Sequence, residues 1–194
     1  MKRGSVIYGV CAVTLVALNV AFAIYRNVAQ AEASANAGQR VYVVPPGAGI
    51  HAFPGEWKFT KAHGLGAYSL AELSASEPRP GWPAPGHIHT REDESWYVIE
   101  GELEFQVGDQ EAVAGPGTLV YAPRDLPHRY RVSKAPARWL LMLTPGGMEP
   151  MFAEAGELQK KFGRYSPEYR AELEKLQAKY GARTAYGWRE VDKK

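Results

Sequence analysis

Two histidines, His87 and His89, stand one residue apart in a stretch bounded by glycines and prolines. In an extended strand this spacing sends both imidazoles to the same face, about 6 to 7 Å apart along the chain, where they can share one metal ion. Glu94 follows five residues later, far enough for the backbone to turn and bring its carboxylate back beside the pair. His128 comes after a second segment marked by Gly and Pro. Imidazoles and one carboxylate form a mixed N/O site suited to Fe, Mn, Ni, Cu or Zn, with room for water or substrate.

The spacing of this stretch resembles the first motif of the cupin superfamily, Gly-x5-His-x-His-x(3 or 4)-Glu-x6-Gly. Every fixed position of that motif is filled, by Gly81, His87, His89, Glu94 and Gly101. The sequence from His89 to Gly101 is most similar to the single-domain, quercetin-dioxygenase-like branch of the family. Five fixed positions with correct spacing are a far more specific signal than a short isolated motif.

The second cupin motif, Gly-x5-Pro-x-Gly-x2-His-x3-Asn, is partly kept as Gly117, Pro123 and His128. Asp125 stands where the family has its second Gly, and Val132 stands where it has Asn. The first change is mild, because Asp is one of the few residues besides Gly that adopt left-handed backbone conformations at modest cost. The resemblance implies that His87, His89, Glu94 and His128 hold one divalent transition metal ion.

Many short, punctuated strand patterns with few helical ones predict an all-β fold, and the resemblance specifies a jelly-roll cupin barrel, a double-stranded β-helix, over about residues 40–152. The predicted strands are 40–44, 56–61, 67–74, 87–89, 95–100, 102–107, 110–114, 117–122, 128–132 and 138–144.

Alternation along these strands also predicts a lining for the site. If Glu94 points inward, Trp96 does so too, and the apolar set that contains Phe105 must face the same core. Tyr130 is placed with His128 by the same rule, and Tyr121 is predicted at the pocket mouth from its position. A metal at one end of such an apolar, aromatic barrel favours a flat or hydrophobic small-molecule ligand over a sugar phosphate.

The resemblance implies a metal-dependent dioxygenase that inserts both oxygen atoms into a flavonol-like or other enol-bearing aromatic compound. Glu94 doubles as the candidate general base for deprotonating that substrate. Its neighbours Arg91, Glu92 and Asp93 fit a solvated turn better than a catalytic role. Two alternative functions use the same site: a non-redox, metal-assisted isomerisation or hydrolysis, and an exported binding module without turnover.

Residues 4–25 are apolar and uncharged and follow the basic residues Lys2 and Arg3. This pattern predicts a signal peptide or an N-terminal transmembrane anchor over residues 1–31, followed by a small, polar linker over 32–39. Positive charge before the segment puts the N-terminus inside and the cupin domain outside the cytoplasm, in the periplasm or anchored to the membrane. The membrane is expected to be a partner only through this segment.

The charge balance gives no reason to expect a nucleic-acid partner. Residues 1–31 contain three of the 23 basic residues and no acidic ones, so the rest of the chain has 20 basic against 21 acidic residues. No basic stripe with interleaved aromatic residues is present. The single cysteine, Cys11, lies in the apolar segment, so the exported part has neither a disulfide nor a cysteine nucleophile.

The last part of the chain, residues 153–194, is predicted to be a helical extension containing one α-helix. Ser166 is a good N-cap, Pro167 suits the first helical position, and Gly181 is a good stop. The apolar stripe of this helix is expected to pack on the barrel or on a second subunit. A homodimer is a family expectation.

Overall fold

The structure is a computed structural model that describes residues 41–79, 81–82, 85–164 and 166–189. Residues from Tyr42 onward form one unit of antiparallel strands followed by two helices. The elements are β1 (Ile50–Ala52), β2 (Gly55–Phe59), β3 (Ser69–Ala75), β4 (His87–His89), β5 (Asp93–Val107), β6 (Gln110–Ala114), β7 (Leu119–Ala122), β8 (His128–Thr144), α1 (Glu149–Phe162), α2 (Pro167–Tyr180) and β9 (Ala182–Thr184).

The predicted signal or anchor segment, residues 1–31, and the linker, residues 32–39, lie outside the described residues. Within the part of the chain that the structure does describe, neither helix is long and apolar enough to cross a bilayer.

Two long strands, β5 and β8, organise the sheet. They pair with each other along nearly their whole length, from Asp93 opposite Thr144 to Val107 opposite His128. The first half of β5 also pairs with β7, and its second half pairs with β6. On the other side of β8, the neighbours are β3 and β4, so that the sheet runs β1-β2-β3-β8-β4-β9. Changing partners halfway along the long strands curls the sheet around one core.

The change of partners on β5 occurs at Gly101, where the register with β8 shifts. Gly101 has φ of 76°, and a Cβ atom there would lie 2.5 Å from the carbonyl oxygens of both Lys134 and Pro136. A side chain therefore cannot be accommodated without moving the backbone of β8. The sequence predicted two strands on either side of this glycine; the structure joins them into one bent strand, and β8 is likewise continuous.

The core confirms the predicted alternation. Trp96, Val98, Leu103 and Phe105 are all almost fully buried, while the intervening Glu104 is partly exposed. Burying a side chain of this size stabilises a fold by about 1.5 to 3 kcal/mol.

Two helices follow β8 in the described part of the chain, whereas the sequence analysis predicted one. The missed helix, α1, begins at Glu149 and buries Met151, Ala155 and Gly156. A Cβ atom at position 156 would be only 2.8 Å from the Cβ atom of Phe53, so glycine allows α1 to lie close against Phe53. Small residues on the buried face leave a weak apolar stripe in the sequence, which is why the pattern did not reveal this helix.

The predicted helix, α2, is confirmed with its caps. The Ser166 hydroxyl accepts a hydrogen bond from the Tyr169 N–H at 3.0 Å, and Gly181 ends the helix with φ of 76°. Leu176 joins the barrel core, so the apolar face of α2 packs on the barrel. Strand β9, which follows directly, was not predicted. It returns to the sheet and pairs with β4.

Candidate metal centre

The structure brings the four predicted metal ligands together. His87 and His89 come from β4, Glu94 from the start of β5 and His128 from the start of β8, where it pairs with His87 across the sheet. Their ligand atoms all lie within 4.8 Å of one another. The two-residue spacing on β4 does place both imidazoles on one face, as predicted.

Glu94 lies at the centre of the cluster. Its Oε2 atom is 2.9 Å from His128 Nε2, 3.1 Å from His89 Nε2 and 3.7 Å from His87 Nε2. Ligands about 2.1 Å from a shared ion are separated from one another by about 3.0 to 3.4 Å in octahedral or tetrahedral arrangements. The three separations from Glu94 bracket this range, so the four side chains could hold a single ion.

The hydrogen bonds around the imidazoles also fit a metal. The His128 Nδ1–H donates to the carbonyl oxygen of Leu126 at 2.9 Å, which leaves Nε2 as the ligand atom. Both ring nitrogens of His89 are buried without a hydrogen-bond partner of good geometry among the described residues, although Nε2 is near Glu94. An orphaned buried nitrogen is costly, and a cation at Nε2 would satisfy it.

Burial and the contacts within the cluster shift the pKa values of His87, Glu94 and His128. Desolvation at the base of the cavity, followed by the charge of His128, lowers the pKa of His87 to about 4, so this imidazole is neutral at pH 7. Burial alone would raise the pKa of Glu94. However, the hydrogen bond with His128 and the close imidazoles of His87 and His89 outweigh burial and hold that pKa well below its usual value. Burial would lower the pKa of His128, but the bond to ionised Glu94 outweighs it and raises that pKa.

Asp125 stands in the position where the second cupin motif has Gly. It adopts φ of 66°, the left-handed conformation expected there, and its N–H donates to the carbonyl oxygen of His89 at 2.7 Å. The loop before β8 is thereby joined to the strand that carries two of the ligands.

A cavity of about 230 Å³ opens from the cluster towards the helices. Its walls are mainly apolar and come from the barrel and from both helices. The apolar side chains include Leu73, Trp139 and Leu141 from the barrel and Met151, Phe152, Ala155 and Leu173 from the helices. The helical contribution was not predicted, because these residues lie 50 or more positions beyond the first motif and no sequence signal links them to it.

Of the four predicted pocket residues, Tyr130 lines this cavity. Trp96 and Phe105 lie behind its wall in the core, where Trp96 packs against His128 with a ring separation of 5.6 Å. Tyr121 is 54% exposed and lies on the outer face, near Asp93 and Arg124. Strand alternation explains this placement, because Ala122 on β7 faces the core and its neighbour therefore faces solvent.

Glu92 differs from its predicted place in a solvated turn. Its side chain is buried, with Oε2 lacking a hydrogen-bond partner among the described residues, and burial raises its pKa. Asp93 does lie at the surface, where the Arg124 side chain bonds its carboxylate and lowers its pKa to about 2. The two neighbouring acids therefore have opposite environments. The alternation of inward and outward side chains could have predicted this difference, whereas the charged composition of the turn could not.

Comparison with known proteins agrees with this architecture. Residues 76–143 match the family model of the cupin domain. Quercetin 2,3-dioxygenase of Bacillus subtilis (strain 168) is 29% identical to this chain over 83 residues. That alignment covers 43% of this chain and 25% of the relative, so the chain spans about a quarter of the length of the dioxygenase.

Among solved structures, the chain matches KdgF from Halomonas sp. with a TM-score of 0.39 and 18% identity over 44% of this chain and 74% of that one. A double-stranded β-helix protein from Klebsiella pneumoniae has a TM-score of 0.40 and 17% identity, covering 56% and 91% of the two chains. The cupin-domain match spans all four residues of the histidine and glutamate cluster and, with the similarity to the Bacillus dioxygenase, identifies residues 76–143 as a cupin domain.

Proposed function

We propose that this protein is a metal-dependent dioxygenase that acts on a small, enol-bearing aromatic compound. The observation that carries the proposal is the group of three histidines and one glutamate at the inner end of an apolar cavity. The similarity to the quercetin 2,3-dioxygenase of Bacillus suggests the reaction class. Because one fold supports many chemistries, the proposal depends on the site more than on the barrel.

His87, His89, Glu94 and His128 would hold the metal ion. A divalent transition metal in this N/O environment supplies open coordination positions and, when redox-active, electron exchange with dioxygen. Glu94 is ionised, hydrogen-bonded to His128 and close to the other two imidazoles, and its lowered pKa suits a ligand. Its second predicted role, as general base, stays a prediction, because an efficient base has a pKa near the working pH.

Tyr130 is the side chain placed to orient the substrate. Burial, followed by the negative charge of Glu94, raises the pKa of its hydroxyl group above the usual value. The hydroxyl is therefore protonated at neutral pH and can donate a hydrogen bond to a substrate oxygen. The apolar walls exclude water, which strengthens such polar contacts within the cavity.

The metal site can be tested by elemental analysis of the purified protein beside two variants. We expect near-stoichiometric Fe, Mn, Ni or Cu that is lost in His128→Ala. The control is His51→Ala, which removes an exposed histidine on β1 that lies outside the cluster. Equal metal contents in the two variants would contradict the four-ligand site.

The reaction class can be tested by oxygen uptake of the metal-loaded protein with a panel of flavonols and catechols. Uptake that depends on His128 supports the dioxygenase. Stoichiometric zinc without uptake would instead favour an isomerase or hydrolase, because zinc is not redox-active. Tight binding of a compound that is released unchanged would favour a binding module.

We also propose that the cupin domain works outside the cytoplasm. Support comes from the uncharged, apolar residues 4–25 and the basic residues before them. Fusing alkaline phosphatase after residue 39 in a bacterial host should give phosphatase activity, since that enzyme is active only after export. A fusion lacking residues 4–25 is the control, and equal activity of the two would contradict export.

A further inference from the structure

The cavity at the metal centre has an unusual charge composition. Among its described lining residues, four carry a positive charge and only one, Glu94, is acidic. The positive residues are Arg79, Arg129, Arg131 and Arg164. A cleft lined by one sign of charge with apolar walls attracts ligands of the opposite sign. A bound divalent cation would add to this positive potential.

Two of these arginines are built into the wall. Arg131 pairs with Glu104 through two nitrogens, at 2.8 and 2.5 Å, which neutralises its charge. Arg129 is buried, and its Nε–H donates to Gln106 at 2.7 Å. Both guanidinium groups also lie over the ring of Trp82, at 4.5 Å for Arg129 and 5.0 Å for Arg131. Their geometry is fixed by these contacts.

Arg79 and Arg164 occupy a different position. Arg79 is exposed on the segment before β4, Arg164 is partly buried between α1 and α2, and both line the cavity. Tyr130 and Glu94 line the same cavity as these two arginines, so positive side chains and the metal-binding group face one space.

The size and chemistry of the cavity limit which ligands it can hold. Its volume, about 230 Å³, lies below the range of roughly 300 to 1,000 Å³ that is usual for sites of drug-sized ligands. Trp139, which is 3% exposed, supplies part of the apolar wall. The cavity thus offers apolar walls and the cations Arg79 and Arg164 to a compact ligand.

We propose that this site takes a small organic carboxylate, with a single ring or a short chain, whose carboxylate pairs with Arg79 and Arg164 while its hydroxyl or enol faces the metal cluster. The inference rests on the proposed function, whose substrate class it narrows from flavonols to smaller acids. A planar carboxylate matches the fork of a guanidinium group, and its apolar body matches the walls.

The test is anaerobic calorimetry on the metal-loaded protein with pairs of compounds that differ in the carboxylate. Suitable pairs are 3,4-dihydroxybenzoate with catechol, salicylate with phenol, and acetoacetate with acetylacetone. We expect at least one acid to bind about tenfold or more tightly than its neutral partner, as charge-assisted hydrogen bonds predict. The inference is overturned if no acid exceeds its neutral partner, or if phenyl phosphate binds more tightly than every carboxylate.

Substitutions test whether Arg79 and Arg164 cause the tighter binding of the acid. In Arg79→Gln/Arg164→Gln the preference for the acid should fall below about threefold, while affinity for the neutral partner is unchanged. Arg138→Gln/Arg170→Gln, which alters arginines outside the cavity lining, should keep the preference. Arg79→Gln alone changes an exposed side chain and should lose part of the preference even if the double variant folds poorly. A preference that survives in Arg79→Gln at full size overturns the inference.

Binding and oxygen uptake separate this inference from the proposed function. Preference for the acid without oxygen uptake would support the carboxylate site and refute the dioxygenase. Oxygen uptake with neutral compounds, and no preference for acids, would leave the dioxygenase and refute the carboxylate site.

Discussion

The three imidazoles of the metal centre are held by different contacts. His128 is oriented from behind by the carbonyl oxygen of Leu126, and His89 has ring nitrogens without a good hydrogen bond. His87 is the most exposed of the three, with 28% of its side chain accessible, and its low pKa keeps it neutral. In the metal-free protein, a metal must therefore displace the proton shared by His128 and Glu94.

This proton makes metal affinity depend on pH. The raised pKa of His128 means that it is protonated near and below neutral pH, whereas Glu94 and His87 carry no competing proton until far lower pH. Affinity should be highest above the pKa of His128 and fall at least about tenfold per pH unit as the pH drops below it. Competition with a chelator between pH 5 and 8 measures this slope. A metal affinity that does not change between pH 5 and 8 would show that His128 carries no such proton in the metal-free protein.

Gly101 yields a prediction about the bend in β5. Gly101→Ala should place a Cβ atom against the backbone of β8, with a left-handed φ as a further cost of about 1 to 2 kcal/mol. We expect the free energy of unfolding in urea to fall by about 3 kcal/mol or more. Gly117→Ala is the matched control, because Gly117 also has positive φ but no atom within 4 Å of the added Cβ. Similar losses in the two variants would contradict a steric origin.

At the scale of elements, the strand that carries His87 and His89 depends on the end of the chain. β4 has three residues and pairs with β8 only at His87, whereas β9 pairs with all three residues. The Thr90 N–H bonds Gly181 and the Ala185 N–H bonds Gly86, both at 2.8 Å. Since bonded pairs alternate in antiparallel strands, the pair between them, Ile88 and Arg183, is bonded too. The C-terminal segment is thus a structural part of the metal site.

Arg183→Pro tests this dependence. Proline removes the N–H that bonds β4 and cannot fit a paired position in a strand, so His87 and His89 lose their alignment. We expect metal affinity to fall more than about tenfold, which corresponds to about 1.4 kcal/mol. In Arg183→Ala the backbone pairing is kept and an exposed side chain is removed, so affinity should stay within about twofold. Equal affinities in both variants would show that β9 does not align the ligands.

The sequence predicted those elements whose signals are local. The four ligands, the left-handed Asp125 and the caps of α2 each follow from residues within a short stretch. The continuity of β5 and β8 was missed because Gly101 and Pro136 look like strand ends, yet in the structure they form one bend. β9 has too few residues to show a period. Tyr121 was predicted at the pocket mouth but faces solvent. Which residues of β7 face the core is set by its pairing with β5, and only the fold defines that pairing.

At the scale of the whole molecule, the helices complete a cavity that the barrel alone leaves open. Tyr169 and Leu173 of α2 and Met151 and Ala155 of α1 line the same space as His87. The barrel supplies the metal ligands, and the helices supply much of the apolar wall opposite them. Metal binding and ligand binding should therefore be separable by substitutions on different elements.

Ala155→Phe tests this separation. Ala155 is 3% exposed and lines the cavity from α1, far along the chain from every metal ligand, so a phenyl ring at this position extends into the space proposed for substrate. Metal content should equal that of the unmodified protein, while affinity for the best acid of the calorimetric panel falls at least about tenfold. Glu157→Phe, which adds the same ring at an exposed position of the same helix, should change neither quantity. Loss of metal in Ala155→Phe would mean that the helix shapes the metal site itself. Unchanged ligand affinity with metal retained would mean that substrate binds elsewhere, because a filled cavity cannot also hold a ligand.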